Sequence, residues 1–157
     1  PRVAMILNNL ANLRQNLSRY GEAEENYQEA LLIYRQLAES NPDVYMPRVA
    51  MTLNNFASLQ DDLGRYGEAE ENYQESLRIR RQLSESNPDA YMPDVAMTLW
   101  NFACSKSAQN KYKEEREISV EALEVHEWLE QHNEGTYTDE ISKIKGFIRE
   151  LDTKEIV

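Results

Sequence analysis

His126 and His132 are the two histidines of the chain and Cys104 its one cysteine, so nucleophilic or metal chemistry would have to be built around them. The histidines stand six residues apart, which puts them on different faces of a helix, and no cysteine accompanies them as a third ligand. Cys104 has no histidine nearby in sequence to act as its base, and reads as a small, half-buried residue rather than a nucleophile. The acidic clusters Glu22-Ala23-Glu24-Glu25 and Glu68-Ala69-Glu70-Glu71 fall where a helix begins, and the positive end of the helix dipole accounts for them. Arg78, Arg80 and Arg81 offer cations, but Glu75 and Glu85 stand three and four residues from Arg78 and Arg81, so local ion pairs are expected. The five glycines are scattered rather than gathered into a phosphate-binding loop. These residues predict no enzyme, no metal site and no cofactor. Function must then lie in a surface.

The totals set bounds. In 157 residues, 41% hydrophobic and 29% charged, there is enough apolar matter for a folded domain with a continuous core. A formal charge of −11 argues against nucleic acid or an anionic membrane as the main partner. The acidity is spread, at −2 over 1–46, −3 over 47–92 and −6 over 93–157, so no segment reads as an acidic tail. No apolar run approaches the roughly 20 residues that span a bilayer, and no signal peptide is visible. A single cysteine fits a reducing compartment, so the expected location is cytoplasmic and the sequon Asn16-Leu17-Ser18 is accidental. The chain opens on Pro1 at a repeat boundary, without an initiator Met, and reads as a segment of a longer protein.

Residues 1–46 recur as 47–92 with 34 of 46 positions identical, and a worn third copy begins at Pro93. A chain that repeats at this period is an array of one supersecondary unit. In the second copy Val49, Leu53, Phe56, Ala57 and Leu63 fall on one helical face and predict a first helix over about 48–63. Pro47 suits its first turn, where the missing N–H costs nothing. Gly64-Arg65-Tyr66-Gly67 predicts a turn. A second helix follows over about 67–85, with Ala69, Tyr73, Leu77 and Leu83 inward. Asn87-Pro88 ends it, because proline cannot continue a helix.

Leu53, Phe56, Ala57, Gly64, Tyr66, Ala69, Tyr73 and Leu77 resemble, in order, the large, small and turn positions of the tetratricopeptide repeat. The runs Leu53-Asn54-Asn55-Phe56-Ala57 and Arg65-Tyr66-Gly67-Glu68-Ala69-Glu70, with Pro88-Asp89 leading onward, are similar to the kinesin-light-chain type. The resemblance covers residues 1 to about 132. It implies an all-α, right-handed superhelical solenoid of three helix-turn-helix repeats (1–46, 47–92, 93–135) in a single domain, closed by a C-terminal capping helix over about 138–154. The unit is longer than usual, and the surplus around Asp43–Met46 and Asp89–Met92 predicts about one added turn before each first helix.

The third copy departs from the pattern at two inward positions, with Glu115 for Ala69 and Ser119 for Tyr73. A charge where helices should approach closely predicts looser packing there. In the closing helix Ile141, Ile144, Ile148 and Leu151 form an apolar stripe, and Thr138 is the expected N-cap.

The resemblance further implies a concave groove lined by the first helices, and places there Asn8, Asn9, Asn12, Asn54, Asn55, Ser58, Asp61, Asp62, Trp100 and Asn101. Asn9, Asn55 and Asn101 keep the same residue in all three copies, and Met5, Met51 and Met97 repeat one turn earlier. An asparagine at Asn55 resembles those that hold ligand backbone in kinesin light chains and in chaperone-binding tetratricopeptide domains. Its carboxamide both donates and accepts, so it can grip an extended main chain whatever the side chains; the same groups could equally hold the stack together. Differences between the first two copies crowd the end of the first helix, at Asn12/Ser58, Arg14/Gln60, Gln15/Asp61 and Asn16/Asp62. Asn8, Asn54 and Trp100 stand where chaperone-tail binders place a lysine. The expected partner is therefore a protein or peptide, neutral to basic, with Trp100 as an apolar anchor. The alternative is a structural array that self-associates through its repeat ends, since Pro1 begins without a helix to cover the first apolar face.

Overall fold

A computed structural model describes residues 1–154, which form seven α-helices and no strand. Contacts gather into two compact units, Pro1–Ile79 and Arg80–Val157. In the first, α1 (Arg2–Asn16), α2 (Tyr20–Ser40) and α3 (Pro42–Asp62) are joined by residues 66–79 of α4 (Tyr66–Ser86). The second holds the rest of α4 with α5 (Pro88–Ala108), α6 (Tyr112–His132) and α7 (Thr138–Lys154).

In the first unit α2 packs against both α1 and α3. Ala11, Ala23, Tyr27, Phe56 and Leu59 make a buried cluster, with Tyr20 packed against it. Alanine at 11 and 23 lets the helices approach closely. The aromatic pair then fills the space between them, Tyr27 stacking on Phe56 with 5.8 Å between centroids. The turn after each first helix needs a left-handed residue, supplied by Ser18 (φ 57°), Gly64 (φ 70°) and Asn110 (φ 57°). Only glycine takes that conformation without strain.

Three expectations are corrected. The first helix does not start near 48: the surplus residues add a helical turn continuous with it, so α3 starts at Pro42 and α5 at Pro88, with Pro47 and Pro93 inside. At Pro47 the missing N–H would have bonded the carbonyl of Asp43, an exposed residue whose carbonyl water can satisfy. Glu115 is not in a loose region but 0% exposed, and neither of its carboxylate oxygens has a hydrogen-bond partner. Thr138 is the first helical residue rather than the cap. Glu130 closes the turn instead, accepting from Gly135 N (2.8 Å), Tyr137 N (2.6 Å) and Thr138 Oγ1 (2.7 Å).

The arginine cluster also resolves differently. Arg81 pairs with Glu121, and Glu75 pairs with Arg35 at 2.8 Å, so both pairs link successive second helices one repeat apart. Arg80 is buried and donates from Nη1 to the Asp94 carbonyl and to Thr98 Oγ1, each at 2.6 Å. Burial lowers its pKa from the ordinary value, with Asp94 opposing.

Candidate peptide-binding surface

The first helix of each repeat carries the residues expected to meet a ligand. In the first unit Asn8 and Asn54 are buried, at 2% and 3% exposure, while Asn9 is open and Asn55 half-buried. The Asn54 amide lies 3.4 Å from Asn55 Oδ1. Asn12, Asn55 and Ser58 line a polar hollow of about 240 Å³ with Gln15, Asn16 and Tyr27.

Hydrogen bonds between helices run along one side of this hollow. The Tyr27 hydroxyl meets Asn12 Oδ1 and, at 3.0 Å, Gln15 Oε1; the Gln15 amide donates to Asp62 Oδ2 at 2.8 Å and lies 3.4 Å from Ser58 Oγ. Asp61 accepts from the Tyr73 hydroxyl at 3.1 Å. Burial first, and the Asp62 charge second, push the Tyr27 pKa upward, so the phenol stays a neutral donor. Ser58 and Asp62 thus join α3 to α1, while Asn12 and Asp61 each tie together the two helices of their own hairpin.

Each unit also carries a cleft at the mouth of its helix pair. The one in the first unit, about 260 Å³, is lined by Pro1, Arg2, Met5, Tyr34, Val44, Tyr45 and Arg48. The one in the second unit, about 370 Å³, lies among α5, α6 and α7; Pro93, Ala96, Met97, Trp100, Leu129 and Ile144 are apolar walls, and His126, Tyr137, Glu140 and Lys143 add polar groups. The two are one feature repeated: Pro93, Met97, His126, Tyr137 and Glu140 stand two repeat lengths after Pro1, Met5, Tyr34, Tyr45 and Arg48. Their rims differ in charge, with Arg48 of the first replaced by Glu140 in the second.

Trp100 decides the character of the second cleft. It is 38% exposed, and its indole packs on Phe147 at 5.7 Å between centroids. His126 anchors its Nδ1 on the Ala122 carbonyl at 2.7 Å and turns its ring against Tyr137. His132 lies apart, stacked on Trp128. Cys104 is exposed rather than half-buried. Asn101 is half-buried beside Trp100. Reading the sequence found Trp100 and the methionine series but missed the cleft. The signal was there in Tyr45 and Tyr137, at matching places in the repeat.

Short connections that fold each helix back on the last, repeated along the chain, define a helical-repeat protein. The family profile of the tetratricopeptide repeat matches residues 2–82 and again 48–127, and the chain belongs to that family. No curated protein matches the chain. Tetratricopeptide repeats are generally protein–protein interaction modules, and their fold is typically a non-enzymatic scaffold. No helix among the described residues is long and apolar enough to cross a membrane.

Proposed function

We propose that this chain recognises an extended peptide segment of a partner protein on the face carried by its first helices. The cleft walled by Trp100, Met97 and Ile144 is the observation that carries this reading, because a half-open indole over an apolar hollow is what an anchoring side chain needs. The hollow is large enough for one leucine- to phenylalanine-sized group.

Asn9, Asn55 and Asn101 grip the ligand main chain through their carboxamides, while Asn8 and Asn54 support them from within. The ligand is neutral to basic, since the segment from Pro93 onward is the most acidic of the three. The kinesin-light-chain resemblance and the single cysteine support a scaffold working in the cytoplasm.

A peptide array tiled across the parent proteome tests this. Hits should share a bulky apolar residue and avoid acidic flanks. Hits without such a residue, or binding that survives Trp100→Ala unchanged, would remove the cleft from the account.

A further inference from the structure

Tyr34, Arg80 and His126 stand at one place in the repeat, and each ends in a hydrogen-bonding group. Arg80 uses its own on α5, donating from Nη1 to the Asp94 carbonyl and to Thr98 Oγ1. One repeat later the matching positions are Glu140 and Ile144, so the hydroxyl has given way to an aliphatic side chain. His126 turns back on its own helix instead, with Nδ1 2.7 Å from the Ala122 carbonyl. A carbonyl only accepts, so Nδ1 carries the proton and donates it. In the neutral ring that leaves Nε2 a bare acceptor, on the side of the imidazole away from the α6 backbone. Among the described residues nothing bonds Nε2, and His126 lines the cleft of about 370 Å³ that Trp100 walls.

A lone acceptor in a mostly apolar hollow discriminates by what it is left without. An anchor that fills the hollow but cannot donate strips water from Nε2 and leaves it unpaired, whereas one with a well-placed O–H satisfies both groups. We infer that the anchoring side chain is a tyrosine of the partner protein, its ring among Trp100, Met97, Leu129 and Ile144 and its hydroxyl donating to His126 Nε2. This rests on the reading that the cleft takes an anchor, and it makes His126 the residue that sets specificity. A serine or threonine can donate but leaves the hollow unfilled. A lysine or arginine can donate too, but apolar walls strip its charge of water, and Glu140 and Lys143 together leave no net charge to receive it. A phosphate on the tyrosine oxygen removes the donor and adds charge, so phosphorylation of the partner releases it.

The probes are p-cresol and toluene, the side chains of tyrosine and phenylalanine, titrated into the whole chain and into its His126→Phe variant. Occupancy is read from the Trp100 indole signal by NMR. His126 is half-buried, so circular dichroism should show the variant as helical as wild type. The ratio of p-cresol to toluene affinity should fall about tenfold in the variant, and taking the ratio cancels the cost of desolvating the phenol. In wild type p-cresol, but not toluene, should move the nitrogen-15 resonance of His126 Nε2. The phosphate ester of p-cresol should leave the Trp100 signal where it is. The inference is overturned if the ratio is unchanged in the variant, or if p-cresol saturates the cleft without moving Nε2. In either case the cleft reading survives, because both probes still enter. If neither probe shifts Trp100, the inference and the cleft reading fall together.

Discussion

Trp100 of α5 leans on Phe147 of α7, with 5.7 Å between ring centroids and planes inclined by 59°. That contact keeps the indole standing over the cleft instead of collapsing into it. Phe147→Ala should therefore weaken ligand binding about tenfold or more without unfolding the protein, since Phe147 is only half-buried. Tryptophan emission, read in a Trp128→Phe background, should shift to the blue when a ligand peptide enters. In Phe147→Ala that shift should shrink.

Glu115 occupies the place of Ala23 and Ala69, is fully buried, and offers two carboxylate oxygens that nothing meets. A buried polar group without partners costs on the order of 1–3 kcal/mol. Glu115→Ala, which restores the residue the repeat uses elsewhere, should raise the urea midpoint by that amount of stability. An unchanged or lower midpoint would mean that the carboxylate is satisfied in solution.

The residues that were legible in the sequence are those governed by local rules. Periodicity gave the helix pairs, and Asn87-Pro88 marked the end of α4; the αL turn followed from Gly64, although Ser18 and Asn110 fill the same role less obviously. What was not legible depends on neighbours far away in the chain. Glu75 and Arg81 each had an oppositely charged residue within one helical turn yet pair with Arg35 and Glu121 about forty positions off, because second helices of adjacent repeats lie side by side. Arg80 passed for a surface cation, but its position in the repeat is that of the buried Tyr34, and it fills the same space with a hydrogen-bonded guanidinium. Pro47 looked like a helix start because the real start, Pro42, is also a proline. The buried Asn8 and Asn54 show how a shared residue type can hide different surroundings.

Ser18 holds a left-handed backbone, φ 57°, where the second copy has Gly64. Non-glycine residues in that region cost about 1–2 kcal/mol, so Ser18→Gly should stabilise the first unit by about 1 kcal/mol. Asn110→Gly should yield less, because asparagine tolerates the conformation better. Equilibrium unfolding of the two variants side by side reads the difference.

Glu130 closes the α6–α7 connection by accepting three hydrogen bonds, from Thr138 Oγ1 and the amides of Tyr137 and Gly135, and these hold its pKa below the ordinary carboxylate value. A depressed folded-state pKa means that the stabilisation is fully present above the unfolded-state pKa and is lost as pH falls through the folded value. Amide exchange at Gly135 and Tyr137 should therefore quicken on acidification, relative to the intrinsic rate, while α2 keeps its protection. Glu130→Gln should show the faster exchange already at neutral pH and lose most of the acid response.

The most direct test of the central claim is the affinity of an array-selected peptide for wild type and for the double variant Asn55→Ala/Trp100→Ala, by isothermal titration with helicity checked alongside. The double variant should stay folded and lose binding by about a hundredfold or more, as expected when a central aromatic anchor is removed. Equal affinity in a fully helical double variant would contradict that claim and place recognition elsewhere on the protein.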